Sequence, residues 1–398
     1  MKTKKRFIVI GISDSHEQFF PPQVREAIQS HTVFSGGLRH LEIVSSFLPE
    51  KAAWINITVP LDDVFAQYEP HSDIVVFASG DPLFFGFANT LMRRYPDAEI
   101  TVFPYFNSLQ MLAHRLLLPY HDMKVVSLTG RDWTLFDKAL IEGEALIGVL
   151  TDRTKTPAVI AQRMLDYGYD NYTISVGEKL GNQTDEQVIT CTLQEAVQRN
   201  FRFPNNLILR RNHVRKRPFG IPEKEFYLLN GRAKMITKMP VRLLSLSMLD
   251  LRNRNHLWDI GFCTGSVSIE AKLQFPHLKI TAFEQRAEGA ELMNANSRKF
   301  RTPGIRAIIG DFMETDLSTL ESPDAIFIGG HGGKLVAMLE RLQPLMTPGC
   351  VVVFNSVSDD SRRLFEEGIR HIGFRITDDI KIQINQYNSI DVLKAEQQ

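Results

Sequence analysis

The sequence predicts an α/β protein of two domains, the second built on a doubly wound parallel sheet closed by a terminal antiparallel hairpin. Three observations carry this. Apolar, β-branched runs alternate with amphipathic stretches along the whole chain. The 398 residues suit two domains at about 100–200 residues each. A basic segment containing proline and glycine, 210–226, separates halves whose rhythm differs.

In the first half the strand-like runs are RFIVIGI (6–12), DIVVFAS (73–79), EITVF (99–103), KVVSL (124–128), ALIGVL (145–150) and YTISV (172–176). The opening imitates a signal peptide, but its apolar stretch, Phe7 to Ile12, is shorter than a secretory core and runs into Ser13, Asp14 and His16. It reads as a first strand. RRNHVRKRPFGIPEKEF, Arg210 to Phe226, carries five basic residues within eight, then two prolines and a glycine, which is the composition of a solvated linker. The expected limits are therefore residues 1–210, a linker at 211–222, and residues 223–398. Beyond the linker HLWDI, KITAF, RAIIG, DAIFI and CVVVF are each separated by a helical stretch, which implies a doubly wound sheet. IKIQIN and SIDVLKA are joined only through Gln386-Tyr387-Asn388, too short for a helical crossover, so they should pair as an antiparallel hairpin.

Charge and cysteine usage exclude several classes. With 46 basic and 46 acidic residues the formal charge is zero, so no bulk field holds a nucleic acid and none is expected as partner. Three cysteines, far apart and without a CxxC pair, suggest neither disulfides nor a metal site and fit a reducing cytoplasm. No apolar run approaches the roughly 18–20 residues of a membrane span.

The most informative string is LWDIGFCTGSVSIEA, Leu257 to Ala271, where a strand runs through Asp259 into Gly261 and Gly265 and then into a helical pattern. Glycines let backbone pass close to a ligand, and the N–H groups opening the next helix offer donors, although tight strand-to-helix turns also need glycine for steric reasons alone. Nineteen residues after Gly265 the next strand ends at Glu284, whose carboxylate can accept both hydroxyls of a ribose. Together these suggest an adenosine site. A nicotinamide fingerprint would place a second glycine at Cys263.

The stretch Asp259-Ile-Gly-Phe-Cys-Thr-Gly resembles motif I of S-adenosylmethionine methyltransferases, and Gly310-Asp311-Phe312 resembles their adenine-contacting turn. With ITKMPVRLLSLSML and the loop IFIGGHGG, residues 220–398 resemble the decarboxylating, carbon-15 methylating domain of cobalamin biosynthesis. The resemblance implies that Thr237, Gly261, Phe262, Cys263, Thr264 and Gly265 touch the cofactor, with Asp259 near its methionine end and with Glu284, Asp311 and Phe312, and that Gly329, Gly330 and His331 face a tetrapyrrole. Cys263 stands where that family has glycine. His331 is either a hydrogen-bond donor or acid toward substrate or a solvent-facing loop residue. The Cys263 thiol has no recognisable base beside it, which favours packing over nucleophilic catalysis.

Gly80-Asp81-Pro82-Leu83-Phe84-Phe85-Gly86 leaves the strand DIVVFAS through a proline-fixed turn. It resembles the GDP motif of tetrapyrrole methylases, two-lobed α/β enzymes that bind S-adenosylmethionine in their cleft. SLTGR (127–131), Leu150-Thr151-Asp152 and GEKLG (177–181) extend the resemblance, to the carbon-5 methylating branch, over residues 6–210. It implies cofactor contacts at Gly80, Asp81, Asn107 and Ser108. The first-strand loop departs from the family, reading GISDSHE with only Gly11 kept, and its PGxSS segment appears as Pro104-Tyr105-Phe106-Asn107-Ser108. Asp81 and Arg131 are either site residues or ordinary turn and surface residues.

The combined resemblance implies a bifunctional, cytoplasmic, homo-oligomeric precorrin methyltransferase with one S-adenosylmethionine site per domain. Methyl transfer to an enamine-like carbon needs alignment and exclusion of water rather than a strong base. A polycarboxylate substrate needs cations, for which Lys238, Arg242 and Arg131 are candidates. Two alternatives are an RNA methyltransferase on the C-terminal fold and a non-catalytic, tetrapyrrole-escorting N-terminal half.

Overall fold

The computed structural model describes residues 4–232, 235–386 and 388–397, so Tyr387 of the expected tail turn lies outside the described residues. The chain divides into two compact units. One comprises Met1–Arg131, Ala145–Gln162 and Tyr172–Asn212, the other Asp132–Glu144, Arg163–Asn171 and His213–Gln398.

The first unit contains two five-stranded sheets. One is wholly parallel, ordered β3-β2-β4-β1-β5, from β1 (Arg6–Ile12), β2 (Val33–Gly36), β3 (Ala53–Asn56), β4 (Asp73–Ser79) and β5 (Glu99–Phe103). Its strands are apolar on both faces: Phe7, Val9, Ile74 and Val76 enter one core cluster, Ile10, Ile12, Val75 and Phe77 the other. The second sheet is mixed, ordered β6-β7-β10-β8-β9, from β6 (Lys124–Ser127), β7 (Leu146–Leu150), β8 (Tyr172–Glu178), β9 (Gln187–Thr192) and β10 (Asn205–Arg211). The six expected strands are all present. β2, β3, β9 and β10 went unanticipated, β9 because none of its residues is buried and β10 because its apolar Leu207-Ile208-Leu209 runs straight into the basic segment.

The second unit carries one seven-stranded sheet from β11 (His256–Ile260), β12 (Lys279–Glu284), β13 (Ile305–Ile309), β14 (Ala325–Ile328), β15 (Val351–Ser356), β16 (Phe374–Ile382) and β17 (Ile390–Gln397), ordered β13-β12-β11-β14-β15-β17-β16. Five parallel strands and an antiparallel hairpin match the expectation. Alternate residues serve opposite faces: Trp258, Ile326 and Val352 join one core cluster, Leu257, Phe327 and Val351 the other. The hairpin differs in extent. β16 begins at Phe374 rather than Ile380 and carries a bulge between Ile376 and Asp378, so its polar middle hides it from a search for apolar runs.

The linker expected at 211–222 also differs. Arg211 ends β10, and Arg215 is tied to Asp170 and to the Gly168 carbonyl. Ile221 and Phe226 are buried with Ile141, Phe262 and Ile269. A connector that supplies two core side chains is not simply solvated. Two stretches of the expected N-terminal domain, Asp132–Glu144 and Arg163–Asn171, belong to the second unit, where the Arg163 guanidinium holds the buried Asp137 carboxylate at 2.7 Å.

Among the described residues no helix is long and apolar enough to cross a membrane, and no cluster of His, Cys, Asp or Glu could hold a metal ion.

Candidate functional site

In the seven-stranded sheet the strand order reverses between β11 and β14, the position where open α/β sheets bind ligands beyond their strand ends. A cavity of about 780 Å³ opens there. It is floored by the loops following both strands, which run backbone to backbone: a Cβ on Gly261 would lie 2.6 Å from the Gly330 nitrogen. Cys263 adopts φ +53°, a left-handed conformation that ordinarily favours glycine. The position is one that a glycine would occupy without strain. The Cys263 N–H donates to Glu284 Oε2 at 2.9 Å, and Oε1 accepts from the Arg286 N–H and guanidinium at 3.0 Å. Burial pushes the Cys263 thiol up to about 11, consistent with packing rather than nucleophilic attack.

Asp259, at the end of β11, is completely buried and faces this cavity. Its Oδ2 is held by Ser268, while Oδ1 has no partner among the described residues, nor has the buried Thr264 hydroxyl beside it. Two unsatisfied buried polar atoms on a cavity wall mark a place for a polar ligand. The same lining includes Asp311, whose carboxyl the Lys334 ammonium at 2.7 Å holds below the usual range, and Phe312, packed edge-on against Phe283. Thr237, Lys238, Phe262, Gly329 and His331 complete the expected set on the lining. The Gly333 N–H donates to His331 Nδ1 at 3.2 Å, and partial burial lowers the ring's pKa, so the imidazole is neutral with its hydrogen on Nε2.

Two expected residues are not on this lining. Gly265, at φ +77°, turns toward Met293, whose sulfur a Cβ would meet at 2.6 Å. Arg242 is fully buried, paired with Glu270 at 3.3 Å, and donates to the carbonyls of Thr237 and Ile221. It is a core residue, not a surface cation awaiting substrate. Arg286 and Lys334 line the cavity instead, two residues beyond Glu284 and one beyond the glycine loop.

The first unit has its own cavity, of about 600 Å³, reached by Gly80, Asn107, Ser108 and Arg131. Gly11 fits only because it lacks a side chain, since a Cβ would stand 2.0 Å from the Gly80 carbonyl oxygen. Asn107 caps the helix Ser108–Arg115, its Oδ1 accepting from the Gln110 N–H at 2.9 Å. Asp81 is off the lining, and its Oδ1 accepts the Leu83 N–H at 2.8 Å within the turn. Buried Ser127 and Asn206 line the cavity with side-chain atoms that have no partner among the described residues. Neither was named as a site residue, although Ser127 opens the SLTGR motif; Asn206, a single polar residue inside a strand, leaves no local pattern.

Comparison with known proteins supplies the remaining link. A precorrin methyltransferase domain model matches residues 229–395, and a model of tetrapyrrole (corrin/porphyrin) methylases matches residues 6–197. A precorrin-6Y C(5,15)-methyltransferase (decarboxylating) of Sinorhizobium is 31% identical over 359 residues, covering 88% of this chain and 84% of the relative. Two proteins of Salmonella typhimurium each match part of the chain. A cobalt-precorrin-6B C(15)-methyltransferase (decarboxylating) is 34% identical over 41% of this chain and 83% of its own length. A cobalt-precorrin-7 C(5)-methyltransferase is 26% identical over 44% of this chain and 86% of its own length. A relative matched along most of the chain, with two methyltransferase domain models in tandem, establishes that the chain belongs to the precorrin-6Y C(5,15)-methyltransferase (decarboxylating) family.

Proposed function

We propose that the chain methylates a precorrin or cobalt-precorrin at carbons 5 and 15 and decarboxylates the ring C acetate, in cobalamin biosynthesis, with one S-adenosylmethionine site in each unit. The observation that carries the reading is that two cavities on unlike folds both present buried, unpartnered polar atoms: Asp259 and Thr264 in one, Ser127 and Asn206 in the other. Bound S-adenosylmethionine supplies an electrophilic methyl group, and the protein aligns a nucleophilic ring carbon with it and excludes water.

In the C-terminal cavity Glu284 retains lone pairs for ribose hydroxyls, and Asp259 would meet the cationic end of the cofactor as a carboxylate, giving up its proton on binding. The close approach of Gly261 and Gly330 brings backbone, rather than side chains, against the reactants. His331 Nε2–H serves in this reading as a hydrogen-bond donor to the macrocycle. Lys238, Arg286 and Lys334 here, and Arg131 in the N-terminal cavity, offer charge to the substrate's carboxylates. Family membership removes the basis for the RNA methyltransferase reading. The resemblance also supports a cytoplasmic homo-oligomer, and light scattering of the purified chain tests the assembly.

The test is to incubate the chain with S-adenosylmethionine and the dihydro-precorrin, with and without cobalt, and weigh the product by mass spectrometry. Two methyl groups gained and one carbon dioxide lost is the expected result. One methyl gained with decarboxylation would make the N-terminal half an escort, and an unchanged mass with both substrates would sink the function.

A further inference from the structure

The N-terminal cavity has a polar corner that none of the cofactor motifs accounts for. Arg39 and His40, on the helix Leu38–Val44, converge on Ser79 at the carboxyl end of β4. Ser79 Oγ lies 3.0 Å from an Arg39 guanidinium nitrogen and 2.9 Å from His40 Nε2. The Gly37 N–H donates to His40 Nδ1 at 3.2 Å, so Nε2 carries the ring hydrogen. Burial first, then the neighbouring Arg39, pushes His40 down to about 4 and keeps the ring neutral.

A guanidinium has no acceptor, and neither has a protonated ring nitrogen. Both neighbours of Ser79 are therefore donors, and neither can take the serine's own hydrogen. Ser79, Arg39 and His40 all line the cavity, so that O–H is left for a group within it. Arg39 is steadied from its other side by Asp14, 3.3 Å from Nε, and a guanidinium with five N–H groups keeps donors to spare. Because Asp14 already offsets the Arg39 charge, the corner suits a singly charged carboxylate better than a phosphate dianion. Arg131, its guanidinium 5.0 Å over the Phe85 ring, adds a second cation to the same lining.

We propose that Arg39 and Ser79 form a carboxylate-recognition subsite that grips one acidic side chain of the tetrapyrrole during carbon-5 methylation, a role that rests on the function proposed above. His40 and Asp14 are positioning residues for that pair. Ser79 ends β4 directly before the Gly80 turn on the same lining, so the acid the subsite holds fixes which edge of the macrocycle enters the cavity.

The test uses the full chain at saturating S-adenosylmethionine, with Ser79→Ala and Arg39→Gln assayed separately for each methylation. Loss of a charge-assisted hydrogen bond should raise KM for carbon-5 methylation about tenfold in each variant, with kcat little changed. Carbon-15 methylation and decarboxylation should continue in both variants, which reports a folded chain. A substrate with its acidic side chains converted to carboxamides should narrow the gap between wild type and variants. An unchanged KM overturns the subsite, as does a fall in S-adenosylmethionine affinity in place of the KM effect, because the corner then belongs to the cofactor. Wild-type chain that adds no carbon-5 methyl overturns the underlying function, and the subsite with it.

Discussion

Asp259 and Ser268 are joined twice: Asp259 Oδ2 accepts the Ser268 N–H at 3.1 Å and the Ser268 hydroxyl at 2.5 Å. Burial nevertheless prevails over these two bonds and lifts the carboxyl to about 7. That lies above the roughly 3.9 of an unfolded aspartate, so the stability linked to this group is present in full below the unfolded value and is lost as pH rises through about 7. A cationic ligand that prefers the carboxylate reverses the sense for binding. Affinity of the C-terminal cavity for S-adenosylmethionine should strengthen between about pH 6 and pH 8 with release of a proton. Calorimetry in buffers of differing ionisation enthalpy measures that proton, and Asp259→Asn should abolish the pH dependence.

The two close backbone approaches give a separable pair of variants. Gly261→Ala places a Cβ against the Gly330 backbone at a left-handed position, and should abolish carbon-15 methylation together with decarboxylation while carbon-5 methylation persists. Gly11→Ala, with its Cβ against the Gly80 carbonyl, should do the reverse. Product masses from the two variants read this directly.

Cys263 holds a left-handed conformation that costs an ordinary residue about 1–2 kcal/mol. Cys263→Gly relieves that cost, loses part of it again to unfolded-chain entropy, and should gain up to about 1 kcal/mol in denaturant titration. The Glu284 contact survives because its donor is backbone. Cys263→Val should lower stability. With its thiol raised to about 11, Cys263 should resist iodoacetamide at neutral pH in the folded chain.

The Arg242–Glu270 pair is wholly buried, and Glu270 also accepts the N–H groups of Gly220 and Ile221. Breaking such a pair from one side typically costs about 3–5 kcal/mol. Arg242→Ala should therefore lower the thermal midpoint sharply while leaving KM for substrate unchanged wherever the variant is folded. A KM effect without a stability effect would return Arg242 to the substrate-binding set.

What the sequence discloses and what it conceals divide along physical lines. β14 and the Val351–Phe354 stretch of β15 are buried on both faces, so they read as apolar runs and reveal the parallel sheet, while β11 is apolar apart from His256 and Asp259. The Gly261 turn and Glu284 are legible because each lies at a strand end and the spacing between them is local. β16 shows only its last residues, because most of its length is exposed. Arg242 was misread since nothing in an amphipathic helix announces a buried partner such as Glu270. Ser79 and Arg39 were invisible for a related reason: each is unremarkable alone, and only the fold makes two donors meet one hydroxyl.

One of the two edge strands of the seven-stranded sheet has a further consequence, for colloidal behaviour. β16 presents Arg375, Asp378, Asp379 and Lys381 along a bulged edge, with Asp379 pinned by Arg362. Another chain adding itself in register would have to straighten the bulge and desolvate like charges side by side. The polar stretch that hides this strand from a sequence search is thus also a guard against edge-to-edge aggregation during synthesis and storage.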